Sequence, residues 1–292
     1  MRFTKMHGIG NDYIYVNCFA EEIDNPAELA VKLSNRHKGI GGDGLILIGP
    51  SQKADVLMRI FNADGSQAEM CGNGIRCVAK YVYERRLAKS GGPFSPPGQA
   101  AFPDSLKIET LNGVLTVGLQ LGPGKMVCSV CVNMSEPKLK PSEIPVKLSG
   151  DKIIDKPISI DGQQLRVSCV SMGNPHAVFF CENVDKVELV KTGPLIEKLS
   201  IFPNGANVHF VQVVNRGEIR MRTWERGSGI TLACGTGACA CVAAAFLTKR
   251  CERAVLVHLP GGDLEINFSG IDNCIYMTGP AVEVFEGDWK EK

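Results

Sequence analysis

The chain has 292 residues, with 32 basic and 31 acidic side chains and a net charge of +1. That length suffices for two domains with cores of their own, and no stretch concentrates one sign of charge, which removes the electrostatic case for a nucleic acid or anionic membrane partner. No apolar run has signal-peptide or membrane-span length, and the 12 cysteines form no regular framework, so a reducing, cytoplasmic setting with mostly buried thiols is expected.

In chain order, residues 1–6 and 12–18 read as strands joined by His7-Gly8-Ile9-Gly10-Asn11. A helix is expected over 26–37, with Asn25 as cap, Pro26 in the first turn and Glu28 completing a capping box. Gly39-Ile40-Gly41-Gly42-Asp43-Gly44 matches GxGxxG by letter, but it follows a helix and opens a strand. A dinucleotide fingerprint needs the reverse order, so this is a turn. Strands follow at 45–48 and 55–61, then a turn at Asn62 and a helix from Cys71 to about residue 89, stopped by Gly91-Gly92-Pro93. Residues 91–105 read as a surface loop. Strands near 106–110, 113–121 and 126–133 come next, with Gly122-Pro123-Gly124 as the candidate domain boundary. Cys128 and Cys131 form the only CxxC; on a strand they face opposite sides, and nothing completes a zinc set. The second half places strands near 158–161, 165–172, 177–181, 207–214 and 218–224, a helix from Cys234 to about 250, and strands at 254–259, 263–268, 274–278 and 281–285. The class is α+β. The Ala-rich stretch 238–247 is apolar nearly all round, so burial on several sides is expected.

Two stretches organise the chain. Met70-Cys71-Gly72-Asn73-Gly74-Ile75-Arg76 and Ala233-Cys234-Gly235-Thr236-Gly237-Ala238-Cys239 each read as a cysteine on a glycine turn that opens a helix. The cysteines lie 163 positions apart, and Gly10-Asn11 repeats as Gly173-Asn174 at the same offset. That is an internal duplication. A cysteine at a helix N-terminus gains from the unpaired amides and the dipole, so a modest lowering of its pKa is expected. Two such thiols on opposite faces of a carbon next to a carboxylate would suit inversion by two-base proton transfer, with the helix-end amides holding the carboxylate. Glu225-Arg226 reads either as an exposed salt-bridged pair or as a fork for a zwitterionic group. His176, in a turn before an apolar strand, reads either as a structural residue or as a cleft group near the thiols; Cys77, Cys239 and Cys241 read as core. A cysteine hydrolase with His176 as base, a proline or hydroxyproline racemase and a non-enzymatic amino-acid binder stay open at this point.

The sequence resembles the diaminopimelate epimerase family. The motifs are Lys5-Met6-His7-Gly8-Ile9-Gly10-Asn11-Asp12, Phe61-Asn62-Ala63-Asp64-Gly65-Ser66, Cys71-Gly72-Asn73-Gly74-Ile75-Arg76-Cys77, Met172-Gly173-Asn174-Pro175-His176, Glu225-Arg226-Gly227, Ala233-Cys234-Gly235-Thr236-Gly237-Ala238 and Leu259-Pro260-Gly261-Gly262. The resemblance implies two domains, each with strands curved around a central helix, and a cleft between them; they would be 1–124 plus 280–292 and 125–279. It implies LL- to meso-diaminopimelate interconversion without cofactor or metal, in lysine and peptidoglycan-precursor synthesis, by a cytoplasmic homodimer. Cys71 and Cys234 would be the acid–base pair, assisted by His176 and Glu225. Gly72, Asn73, Gly235 and Thr236 would hold the reacting carboxylate. Asn11, Asn62, Asn174, Asn207, Glu225 and Arg226 would hold the distal amino and carboxyl groups. Two departures stand out: Gly44, where some members carry a ligand-contacting Gln, and Phe285, where some carry an interface Tyr.

Overall fold

The computed structural model describes residues 1–88 and 91–290. The helix end expected near residue 89, and residues 291–292 of the expected N-terminal domain, lie outside the described residues. The chain divides into two compact units, one of residues 1–133 with 278–292 and one of residues 134–277. The first unit thus runs past the 122–124 turn and takes in the following strand.

In the first unit, β1 (Arg2–Gly8) and β2 (Asn11–Asn17) form a hairpin, and β18 (Val282–Asp288) pairs with the other edge of β1. The order continues through β3 (Gly44–Gly49), parallel to β2, then β4 (Val56–Asn62), β6 (Asp104–Thr110), parallel to β4, β7 (Gly113–Leu121) and β8 (Val127–Asn133). A two-residue strand, β5 (Gln67–Ala68), adds to β4. The sheet curves around α2 (Gly72–Glu84), which touches β1, β2, β6, β7 and β8. The other face is covered by α1 (Pro26–Ser34), with Ala30 and Leu33 packed on Ile14, Val16, Leu45, Leu47 and Phe61. Burial on both faces is why Leu45-Ile46-Leu47-Ile48 reads as an unbroken apolar run.

The second unit repeats this topology. β9 (Lys156–Ile160) pairs with β10 (Gln163–Ser171), which pairs with β11 (Pro175–Phe180); β12 (Asn207–Asn215) is parallel to β11. Then come β13 (Glu218–Glu225), β15 (Ala254–Leu259), parallel to β13, and β16 (Gly262–Phe268), with the short β14 (Gly229–Thr231) on β13. β17 (Ile275–Gly279) begins in this unit and runs into the residues of the first. α4 (Gly235–Leu247) is the central helix and is buried from Gly237 through Ala245, as its all-round apolar sequence demands. α3 (Leu189–Glu197) covers the other face.

Several local expectations are corrected. Asn25 makes no capping bond to α1; its amide donates to Glu28 Oε2 at 2.8 Å instead. Nor does α2 run on to the glycines at 91–92. It ends at Glu84, where Arg86 takes a left-handed conformation (φ 54°) and Leu87 N bonds Val82 O. α4 ends in the same way, with Lys249 at φ 61° and Arg250 N on Ala245 O. Both are Schellman closures built without the usual glycine.

Candidate active site

The residues expected to act together lie at one end of each unit's strands. In the first unit, Cys71 caps α2 with extended backbone, and its Sγ accepts from Gly74 N at 3.3 Å. Asn11, at the start of β2, follows Gly10 at φ 86°, a left-handed turn that favours glycine. The thiol of Cys71 donates to Asn11 Oδ1 at 3.4 Å, and Asn73 Nδ2 donates to the same oxygen at 3.3 Å. The other end of the Asn11 amide donates to Asp43 Oδ2 at 2.7 Å. Asp43 in turn accepts from Asp12 N and from Arg36, while Arg36 grips Asp12 through two bonds, at 2.7 and 3.2 Å. Lys5 reaches Asp12 at 2.6 Å and the Gly41 carbonyl. Burial raises the Asp12 pKa, but Arg36 and Lys5 outweigh it, and the carboxyl stays below its ordinary range. The Tyr13 hydroxyl lies in hydrogen-bond reach of Cys71.

Asn62 is tied to this group through its neighbour, since Ala63 N donates to the Asp43 carbonyl oxygen at 3.0 Å. At the end of β4, the Asn62 amide donates to Ser66 Oγ at 2.9 Å. Gly44 pairs with it across the sheet, and a Cβ on Gly44 would stand 2.2 Å from the Phe61 carbonyl oxygen. A Gln at this position therefore has no space to start from in this chain.

In the second unit, Cys234 caps α4 and lies 3.8 Å from Thr236 Oγ1. Asn174, after a left-handed Gly173 (φ 95°), donates to Thr236 Oγ1 at 3.5 Å. Its Oδ1 is 2.8 Å from His176 Nε2, and His176 Nδ1 is 2.8 Å from His209 Nε2. His209 Nδ1 meets Thr223 Oγ1 at 2.9 Å. Asn207, at the start of β12, is buried and bonded at both ends to backbone, donating to Pro175 O at 3.1 Å and accepting from Arg226 N at 2.9 Å. Arg226 donates to Asn204 O at 3.0 Å from an exposed position. Glu225 ends β13, accepts from Thr231 Oγ1 at 2.5 Å and stands against the Cys234 thiol.

The thiol acidity departs from the sequence expectation. Burial pushes Cys71 up, against opposition from the Gly74 and Asn73 amides, the Arg76 guanidinium and Tyr13. Cys234 is pushed well up, first by burial and then by the Glu225 carboxylate, with the Gly237 amide and Thr236 hydroxyl opposing. Helix-end amides do favour the thiolate in both, but desolvation of the charge is the larger effect here. The imidazoles move the other way for the same reason: burial takes His176 well below its ordinary value and His209 to about 3.

Three sets of residues escaped sequence reasoning: the Lys5–Asp12–Arg36–Asp43 cluster behind Asn11, Tyr13 beside Cys71, and the His209–Thr223 pair behind His176. A superposition of the two half-sequences at the 163-residue offset was the available signal. It sets His176 against Tyr13, His209 against Ile46 and Thr223 against Ile60, so polar residues face apolar ones at buried positions.

The chain matches the diaminopimelate epimerase family over residues 3–139 and 168–284. It is 51% identical to the diaminopimelate epimerase of Acetivibrio thermocellus, covering 99% of this chain and 98% of that one. It is 48% identical to that of Methanococcus maripaludis, covering 99% of each. Its fold resembles a hydroxyproline epimerase from Agrobacterium vitis (TM-score 0.66, 16% identity, 98% and 90% of the chains covered) and a Bacillus anthracis phenazine-biosynthesis protein of the PhzF family (TM-score 0.68, 18% identity, 98% of each). With two repeated units, each built around a cysteine-capped helix, and near-half identity over its whole length, this chain belongs to the diaminopimelate epimerase family.

Proposed function

We propose that this protein interconverts LL- and meso-diaminopimelate by two-base proton transfer at one α-carbon. The observation that carries the reading is the repeated construction: a cysteine at the N-cap of the central helix in each unit, with an Asn placed 60 positions before it, at 11 and 174. One sulfur takes the α-proton as a thiolate and becomes a thiol. The other, a thiol, gives its proton to the opposite face and becomes a thiolate, so the two exchange protonation states with each turnover. The charge that develops on the substrate carboxylate falls to the amides of Gly72 and Asn73 and of Gly235 and Thr236, backbone donors at two helix N-termini. Glu225, against Cys234, is the base that takes its proton when that thiol must ionise. Asn11, Asn62, Asn174, Asn207 and the Glu225-Arg226 pair hold the distal amino-acid group. We read the protein as a cytoplasmic homodimer, as the family resemblance implies.

Incubation with LL-diaminopimelate in heavy water under reducing thiol tests this by NMR. Deuterium at one α-carbon together with meso product is expected. Exchange with proline but not with diaminopimelate would overturn it.

The Asp43 carboxylate fixes which end of the Asn11 amide faces Cys71. Asp43→Asn removes a charge-assisted bond and lets that amide turn, so kcat/KM is expected to fall about tenfold. An unchanged kcat/KM would show that the orientation of Asn11 does not matter to turnover.

A further inference from the structure

Two buried residues of the second unit have no part in the function proposed above. His209 on β12 and Thr223 on β13 are cross-strand partners, 0% and 3% exposed, and they lie beneath the first turn of α4. The glycine at 237 makes room for them: a Cβ there would come within 2.4 Å of His209 Cε1 and 3.0 Å of Cys234 Sγ. The first unit fills the corresponding place differently. Ile46 and Ile60 are cross-strand partners there, both essentially buried, and a Cβ on Gly74 would meet Ile46 Cδ1 at 2.8 Å. Packing under a cysteine-capped helix is thus satisfied by two isoleucines. An imidazole and a hydroxyl in that place cost desolvation and must be hydrogen-bonded.

Their bonds form a chain with one direction. Asn174 gives its NH₂ to Thr236, so its Oδ1 accepts from His176 Nε2. A neutral imidazole has one donor and one acceptor. His176 Nδ1 is therefore an acceptor, His209 Nε2 donates to it, and His209 Nδ1 accepts the Thr223 hydroxyl proton. At the other end, Thr236 receives from Asn174, and its own O–H is left for Cys234 Sγ. Glu225 beside Cys234 and Arg226 near His176 are the charged groups facing this chain.

We propose that His209 and Thr223 are positioning residues: they complete the chain in which His176 keeps its Nε2–H on Asn174, and so hold the Asn174 NH₂ on Thr236 and the Thr236 hydroxyl on the sulfur of Cys234. The proposal rests on the two-base reading and adds that the Cys234 thiolate is supported by a donor whose direction is fixed two strands away. It also assigns His176 the role of link in this chain, since both of its ring nitrogens are engaged.

The test uses the full chain labelled with ¹⁵N in its five histidines, with ring-nitrogen shifts recorded alongside kinetics. In the wild type, two rings are expected in the Nε2–H form, unchanged between pH 5 and 8. Thr223→Val, which keeps the shape and removes the hydroxyl, is expected to convert one of these rings to a mixture of tautomers. It should lower kcat about fivefold, the worth of one hydrogen bond, with KM within about twofold. Thr223→Ser should restore both readouts. Two rings in the Nδ1–H form in the wild type would reverse the chain and overturn the proposal, as would Thr223→Val with wild-type kcat. Ring shifts are read without turnover, so a wild type that fails to epimerise is told apart from a wrong ring order.

Discussion

Cys71→Ser and Cys234→Ser are each expected to lower the interconversion rate about 10³-fold, the usual worth of a placed acid or base. Serine is nearly isosteric with cysteine but far less acidic, so it cannot rest as the anion at either position, and at 234 it cannot be deprotonated by Glu225. The exchange suits the backbone: both positions are N-caps with extended φ and ψ, and serine is among the preferred N-cap residues. Each variant should therefore unfold at or above the wild-type midpoint while losing catalysis. In heavy water the thiol that remains can still remove and return a proton on its own face. Slow deuterium uptake from one stereoisomer without inversion is expected from each variant, and the two variants should prefer opposite stereoisomers. A variant that keeps more than about a tenth of wild-type interconversion would remove its cysteine from the acid–base pair.

The second large effect is on stability. The His209 pKa sits near 3 in the folded chain because burial penalises the imidazolium, against about 6.5 unfolded. Between those values the unfolded chain binds the extra proton and the folded one does not, so stability falls as pH drops below about 6.5. At pH 5 the loss from this residue alone comes to about 2 kcal/mol relative to pH 7, roughly a thirtyfold change in the folding constant. His209→Ile with Thr223→Ile installs the pair that the first unit already carries at Ile46 and Ile60. Urea unfolding of both proteins at pH 7 and pH 5 should show the variant losing about 2 kcal/mol less over that interval. Equal losses in the two proteins would mean that the buried ring is protonated in the folded state.

What the sequence alone determined was local or repetitive. Alternating and unbroken apolar runs located the long strands because side-chain direction follows a fixed period. The turns at Gly10-Asn11 and Gly173-Asn174 were legible because a left-handed residue there favours glycine. The duplicated cysteine turns gave the two helix N-termini and the family resemblance. Missing from that reading was α3, whose Gly193 and Pro194 break the helical signal. Its glycine answers to a distant neighbour: a Cβ would stand 2.5 Å from the Trp224 ring. β5 and β14, of two and three residues, are too short to carry a period.

Tertiary structure alone decided the chemistry of the side chains. Helix-end amides favour a thiolate in any sequence of this pattern, yet burial reverses the net direction at Cys71 and Cys234, and burial is fixed by what the rest of the unit places around them. The orientation of Asn11 depends on Asp43, which lies 32 residues away along the chain. That of Asn174 goes with its bonds to Thr236 and to His176, whose other ring nitrogen meets His209, a residue that only strand register brings under α4. Periodicity fixes which way a side chain points. Which partner it meets, and so which proton it holds, is set by the pairing of strands distant in sequence.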